Sequence, residues 1–225
     1  MKKPGFTLAE VLITLGIIGI VAAITLPNFI VKYQNHVTIS RLKKCYNQLS
    51  QSALYAIQDT INYSDLLGYS DGAQPGFWYK IFSDKMQITK TCINKAGCWN
   101  NSTKCLNDKA PAYYRGNIGI GNDIIIFNTT DNYTYNLDGY SIADTKNLFG
   151  VNSKYNSLII FVDINGKNKP NIIGKDIFVF VFSDKGFVPA GHDQTDNIVN
   201  NNCSSSGNGY FCLEKIIRNS WEIKY

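Results

Sequence analysis

The first thirty residues carry very few polar side chains. In the segment MKKPGFTLAEVLITLGIIGIVAAITLPNFI, a run from Phe6 to Val31 contains Glu10 as its single charged residue. As a helix, this run would extend roughly 39 Å at 1.5 Å per residue, which is enough to cross a hydrocarbon layer of ~30 Å. The pattern predicts a membrane-spanning helix.

The helical pattern continues beyond this run, but polar residues now separate the apolar ones. A stripe of this kind needs a partner surface. We therefore predict one helix over residues 6–59, with a membrane-spanning part (6–31) and an amphipathic part that packs on the domain that follows. The sequence NYSD then ends the helix. The stripe, at three- and four-residue steps, consists of Leu42, Cys45, Tyr46, Leu49, Ala53, Ala56 and Ile57.

Residues 60–225 form the predicted head of the molecule, and residues 113–190 its sheet. Four β-branched or aromatic runs there, NDIIIFNTT, NYTYNLDG, SLIIFVDING and DIFVFVFSDKG, are separated by turn residues and predict an antiparallel meander. The runs LIIFV and FVFVF alternate little, so we expect both faces of the sheet to be covered, one of them by the amphipathic part of the helix. The predicted fold class is α+β.

Residues 60–112 contain many turn residues and predict an irregular connection between helix and sheet. A loop of this length usually carries function or crosslinks. We expect it to contribute a surface for subunit contacts. Its anchoring residues are Trp78, Trp99, Cys92, Cys98 and Cys105.

The six cysteines predict disulfides, because none of them forms the C-x-x-C pair of a zinc or redox site. Cys203 and Cys212 enclose the flexible loop SSSGNGYF, so we predict that they form a bridge in a C-terminal region, 203–225, with a short helix from Cys212. The other four cysteines allow three pairings. Cys45 could equally remain a buried thiol.

Composition and charge argue against several functions. Charged residues make up 17% and aromatic residues 13% of the chain, which suits an extracytoplasmic β-rich surface better than a cytosolic enzyme. The net charge of +5 is small and scattered, and the cluster RLKK has no interleaved aromatic residue, so a nucleic-acid partner is not favoured. His36 and His192 lie near no nucleophile or metal-ligand spacing, and no catalytic motif is present. We predict that the chain is not an enzyme.

One loop, FVDINGKNKPNIIGKD, offers oxygen ligands for calcium from Asp163, Asn165, Asn168 and Asp176. However, Gly166 occupies the fourth position rather than the sixth, and three lysines in the loop would repel a divalent ion. A tight turn in which an Asp side chain bonds to the backbone is therefore favoured, and no cofactor is predicted.

Glu10 is the unexpected residue of the apolar run, because an acid at this depth usually has a partner or a function. Lys2 and Lys3 precede the run, which favours a cytoplasmic start and an exported head. The chain has no further cation before Lys32. The only cation available at the depth of Glu10 is an α-amino group created by cutting before Phe6. A cleaved secretory signal is the alternative, but its apolar core would be shorter and uncharged.

The segment KKPGFTLAEVLITLGIIGIVAAITLPNF resembles the N-terminus of type IV pilins and type II secretion pseudopilins. The resemblance implies that residues 1–5 are a leader removed after Gly5 by a membrane aspartic peptidase. It further implies that Phe6 is N-methylated, that Glu10 is kept for assembly, and that Pro27 kinks the helix. The implied fold is pilin-like.

The resemblance also implies partners and a location. The subunit would start in the bacterial inner membrane as a single-pass protein. The prepilin peptidase/methyltransferase and an inner-membrane assembly platform would then act on it, and it would join the same or other pilin subunits in a filament in the periplasm or at the cell surface. In the filament, Glu10 of one subunit would meet the Phe6 ammonium of a neighbour. Alternatively, Glu10 pairs with its own chain's amine or complements the helix dipole.

A membrane-anchored extracytoplasmic binding protein, such as an adhesin or a DNA-uptake receptor, is the alternative function, since it would share the same topology. The residues do not distinguish a major pilin, a minor pilin and a pseudopilin.

Overall fold

The computed structural model describes residues 5, 7–59, 75–100, 102–111, 124–166 and 168–225. Its first element, α1 (Leu8–Asp59), is a helix of 52 residues, which is about 78 Å long at 1.5 Å per residue. The single long helix predicted from the sequence is therefore present. The NYSD segment predicted to end it lies outside the described residues.

In the described residues, six strands form one antiparallel sheet in which each strand pairs with the next one along the chain. The predicted meander is confirmed, and the structure adds an edge strand at each end of it. The strands are β1 (Ile88–Ile93), β2 (Ile125–Thr129), β3 (Thr134–Tyr140), β4 (Ser157–Asp163), β5 (Ile177–Ser183) and β6 (Gly186–Pro189).

Strands β4 and β5 are buried at every position, which explains why their sequences do not alternate. Successive side chains of a strand point to opposite faces. On β5, Phe178, Phe180 and Phe182 enter one apolar cluster, whereas Ile177, Val179 and Val181 enter another. We call these clusters the stem-side core and the outer core.

The stem-side core lies under α1. Leu42, Cys45 and Leu49 of the predicted stripe are fully buried in it, and Ala53 is 4% exposed. Tyr46 packs against the same cluster from its edge. The predicted packing of the helix on the sheet is therefore confirmed. The side chains of Ala56 and Ile57 lie outside the described part of the chain.

The prediction of an irregular connection over residues 60–112 is wrong for residues 75–93, which contain α2 (Pro75–Lys85) and β1. Residues 94–100 and 102–111 form turns and bends outside any named helix or strand, as predicted. Trp78 and Phe82, one helical turn apart, are fully buried in the stem-side core, with the Trp78 ring centroid 4.3 Å from that of Phe182. The turn residues mark the start of α2, where Pro75 fits the first helical position, rather than a continuous loop.

Three more short helices lie in the described part of the head. They are α3 (Ile142–Phe149), α4 (Asp196–Asn202) and α5 (Cys212–Arg218). Ser141 caps α3 by accepting a hydrogen bond from the Asp144 N–H, and Gly150 ends it with φ of 63°, a conformation that favours glycine. The short helix predicted from Cys212 is α5.

Candidate assembly surface on the N-terminal helix

The start of α1 is held by a reciprocal pair of side chains, Thr7 and Glu10. One carboxylate oxygen of Glu10, Oε2, accepts hydrogen bonds from the Thr7 backbone N–H at 2.8 Å and from the Thr7 hydroxyl at 2.9 Å. The Thr7 hydroxyl oxygen in turn accepts from the Glu10 N–H at 3.3 Å. This is a capping box, which satisfies backbone N–H groups at the start of a helix.

The capping box answers part of the question raised by Glu10. The carboxylate complements the start of its own helix, which was one of the alternatives proposed. Both hydrogen bonds from Thr7 go to the same oxygen, Oε2, and not to Oε1. Thr7 was not predicted from the sequence, although the pattern T-x-x-E identifies it.

The predicted processing site lies next to this box. Gly5 is exposed, and no atom lies within 4 Å of the place where a Cβ would stand. Phe6, the predicted methylated residue, lies outside the described residues, so the distance between its nitrogen and Glu10 remains part of the prediction.

The lower part of α1 is exposed to solvent in the part of the chain that the structure describes. Its large apolar side chains are exposed, from Leu8 at 78% to Phe29 at 68%, and they lie all around the helix. A helix that is apolar all round is typical of a membrane span or of a buried helix in a larger assembly. Among the described residues, the helix Leu8–Tyr55 is long and apolar enough to cross a membrane. We call the segment Leu8–Val31 the apolar stem.

Three residues interrupt the side-chain surface of the apolar stem. At Gly16 and Gly19 an added Cβ would meet nothing within 4 Å, so the fold of the single chain does not need glycine there. Pro27 lies inside α1, which continues through it. Because proline has no N–H, the helix lacks one backbone hydrogen bond at this point.

The upper part of α1 is fixed to the head by polar contacts as well as by the stem-side core. Arg41 donates from Nη1 to the Ile164 carbonyl at 2.5 Å, and its own carbonyl accepts from the Tyr133 hydroxyl at 3.2 Å. Lys44 pairs with Asp131 at 2.8 Å. The helix therefore has one part anchored to the head and one part with no cover.

Two disulfides hold the loops of the head. Cys203 bonds to Cys212, the bridge favoured from the sequence, and Cys92 bonds to Cys98, one of the pairings left open. Cys45 and Cys105 are buried free thiols. Burial raises the pKa of the Cys45 thiol to about 12, so it stays protonated and unreactive at neutral pH.

The loop considered for calcium uses its carboxylates internally. Asp176 accepts from the backbone N–H groups of Asn171 and Ile172, each at 2.7 Å, and from the Asn165 side chain at 3.1 Å. Asp163 accepts from the Asn165 N–H at 3.0 Å, as in the turn that the sequence favoured. Gly166 follows with φ of 69°.

Three of the four candidate calcium ligands contact one another, because Asn165 donates its backbone N–H to Asp163 and its side-chain amide to Asp176. Asn168, the fourth, is exposed and donates its amide to the Asn165 carbonyl at 3.0 Å. In the part of the chain that the structure describes, no group of three or more His, Cys, Asp or Glu residues could hold a metal. The expectation that the chain holds no cofactor stays a prediction.

In the described residues, no hydrogen bond joins the side chain of either histidine to a Ser, Thr or Cys side chain. His36 is exposed on α1. The His192 side chain is 43% exposed, and its Nδ1 lies 3.7 Å from Glu214 Oε2. Glu214 also pairs with Arg218 at 2.6 Å, so the surroundings of His192 are those of a structural ion pair.

Comparison with known proteins gives a finding for the first residues of the chain. Residues 1–26 match the family model described as the prokaryotic N-terminal methylation motif. No curated protein and no solved structure matches the chain. The match includes the predicted cleavage site and the capping box, and it confirms the resemblance seen in the residues. The chain therefore begins with a prokaryotic N-terminal methylation motif, the prepilin-type cleavage motif of type IV pilins and pseudopilins.

Proposed function

We propose that the chain is a structural subunit of a type IV pilus or of a type II secretion pseudopilus. It is cut after Gly5, methylated on Phe6 and assembled through its apolar stem. The observation that carries this proposal is the exposure of the apolar stem directly after the methylation motif, beside a head that covers only the upper part of the same helix.

The apolar stem suits both the membrane and a filament core. Apolar surface that faces lipid in the single subunit would face other stems in a filament, so the transfer changes the hydrophobic free energy little. The bare backbone at Gly16 and Gly19 would let neighbouring helices approach closely. Extraction from the bilayer would then require an assembly machine in the inner membrane.

Glu10 would give this assembly its register. An ammonium on Phe6 of a neighbouring subunit could pair with Oε1, while Oε2 keeps its bonds to Thr7. A charge pair surrounded by apolar side chains is stronger than the same pair in water. One carboxylate could therefore cap its own helix and position the next subunit.

Mass spectrometry of the N-terminus of the protein purified from its membrane tests this proposal. We expect a chain that begins at Phe6 and carries one added methyl group. The variant Gly5→Leu, in which the residue before the cut is changed, should keep Met1. An intact Met1 in the unaltered protein, or a cut after Ala23, would instead support a tethered binding protein or a secretory signal.

A further inference from the structure

A groove of about 570 Å³ lies where α1 leaves the apolar stem and meets the head. One wall is the segment of α1 that follows Val31, and the other is the loop between β4 and β5. Residues near the end of the chain, including Tyr225, close one side. The Tyr225 hydroxyl donates to the Gly174 carbonyl at 2.5 Å, which attaches this side to the loop.

Three cationic side chains line the groove: Arg41 from α1, and Lys169 and Lys175 from the loop. None of the ion pairs between described residues includes any of the three. Both lysines are exposed. Their positive charge is therefore available to a ligand.

The acidic residues around the groove do not cancel this charge. Asp176 lines the groove but is 4% exposed, and its oxygens accept three hydrogen bonds from the loop. Asp163 is 2% exposed. It directly precedes Ile164, whose carbonyl accepts the hydrogen bond from Arg41. Burial raises the pKa of Asp163 to about 8, so this carboxyl group is largely protonated at neutral pH, and burial also raises the pKa of Asp176.

The lower end of the groove, at Val31 and Tyr33, lies at the height of lipid headgroups when the apolar stem spans a bilayer, whereas Arg41 at its upper end lies about 15 Å above Val31. Lys32, the first charge after Glu10, marks the end of the apolar stem. Residues 31–35 then rise about 6 Å, within the headgroup layer of roughly 5–7 Å on each side of the hydrocarbon. Tyr33 is 62% exposed at this height, where tyrosine is enriched in membrane proteins. The long lysine side chains can reach the same layer.

We propose that this groove binds the headgroup of an anionic phospholipid and so holds the head against the bilayer before assembly. The site offers cations for the phosphate and apolar surface at Val31 for the start of the acyl chains. The stem of a second subunit fits less well, because the segment after Glu10 carries no charge before Lys32. The inference rests on the membrane-inserted subunit of the proposed function.

Native mass spectrometry of the full-length chain in neutral detergent tests the proposal. Phosphatidylglycerol and phosphatidylcholine with identical acyl chains are added separately. We expect phosphatidylglycerol to be retained and phosphatidylcholine to be lost. Equal retention of the two lipids by the unaltered chain would overturn the proposal. A second copy of the chain bound in place of lipid would also overturn it.

A matched pair of variants locates the site. Lys169→Gln/Lys175→Gln removes two charges from the groove, whereas Lys146→Gln/Lys154→Gln removes two exposed charges outside it. Each basic residue near an anionic surface contributes about fivefold in binding, so the first variant should bind phosphatidylglycerol about 25-fold more weakly. The second should bind like the unaltered chain. Equal effects of the two variants would contradict the proposal.

Inorganic phosphate distinguishes a lipid from a free anion. Phosphate at the same total concentration as the lipid should neither bind nor displace phosphatidylglycerol, because it lacks the acyl chains. If phosphate binds equally well, the groove is a free-anion site and the proposal fails. The N-terminal processing of the same samples is measured separately, so loss of lipid binding leaves the pilin proposal standing, and an uncut Met1 leaves the lipid result standing.

Discussion

The attachment of the helix to the head can be tested by one truncation, Leu49→Ala. Leu49 is fully buried between α1 and the sheet in the stem-side core. Removing a buried leucine side chain costs the lost hydrophobic transfer energy plus the energy of the cavity that remains. The expected loss is about 2–5 kcal/mol of the free energy of unfolding. For a head of this size, each kcal/mol corresponds to a fall of roughly 2–4 °C in Tm.

Leu54→Ala is the matched control on the same helix. Leu54 is 61% exposed, so its truncation removes few contacts and should change the free energy of unfolding by about 0.5 kcal/mol or less. The two variants make the same chemical change in the same helix. Helix propensity therefore affects both equally, and the difference between them reports burial.

Urea unfolding of the full-length protein in detergent, followed by tryptophan fluorescence, measures this difference. Trp78 is fully buried in the same core and reports its loss directly. Equal unfolding midpoints for Leu49→Ala and Leu54→Ala would refute the reasoning. In that case α1 would not be packed on the sheet through the stripe that the structure describes.

Three further predictions concern other parts of the molecule. Gly16→Leu should leave the Tm of the single subunit unchanged, because no atom lies near that position, yet abolish filaments in electron micrographs; normal filaments would show that close helix approach is not needed. Cys203→Ser/Cys212→Ser should lower the free energy of unfolding by about 2.5 kcal/mol, from the entropy of a loop with a sequence separation of 9, and an unchanged urea midpoint would contradict this. Burial, together with the charge of Asp176, raises the pKa of Asp163 from 3.8 to about 8, so the folded head holds a proton that the unfolded chain has released. Stability should therefore fall as the pH rises from about 4 to about 8. Urea midpoints measured across this range check this, and the midpoint of Asp163→Asn should depend less on pH than that of the unaltered chain.

Periodicity predicted the main architecture because the strongest patterns are local. The apolar run, the stripe on α1 and the continuous apolar runs of β4 and β5 can each be seen within a single segment. Residues 75–93 could not be predicted in the same way. Their order comes from Trp78 and Phe82 packing on distant phenylalanines, which local turn residues do not reveal.

Some residues of the candidate site could likewise be predicted from the sequence, and others could not. Glu10 and Gly5 could be identified because each is unusual in its surroundings, and Thr7 was accessible through its spacing from Glu10. The Cys92–Cys98 bridge depends on the path of β1 and the loop after it, so spacing alone left it among several pairings. The groove between α1 and the loop that joins β4 to β5 is lined by residues more than one hundred positions apart along the chain, and only the folded structure brings them together.

Filament formation by Glu10→Gln, compared with Thr7→Ala, tests the central claim most directly. Glutamine can still complete a capping box but carries no charge. Thr7→Ala removes the two bonds of the Thr7 hydroxyl and keeps the carboxylate with its bond to the backbone N–H of residue 7. We expect Glu10→Gln to be cut and to accumulate in the membrane without entering filaments, and Thr7→Ala to assemble. Normal filaments from Glu10→Gln, counted by electron microscopy at equal subunit levels, would contradict the account.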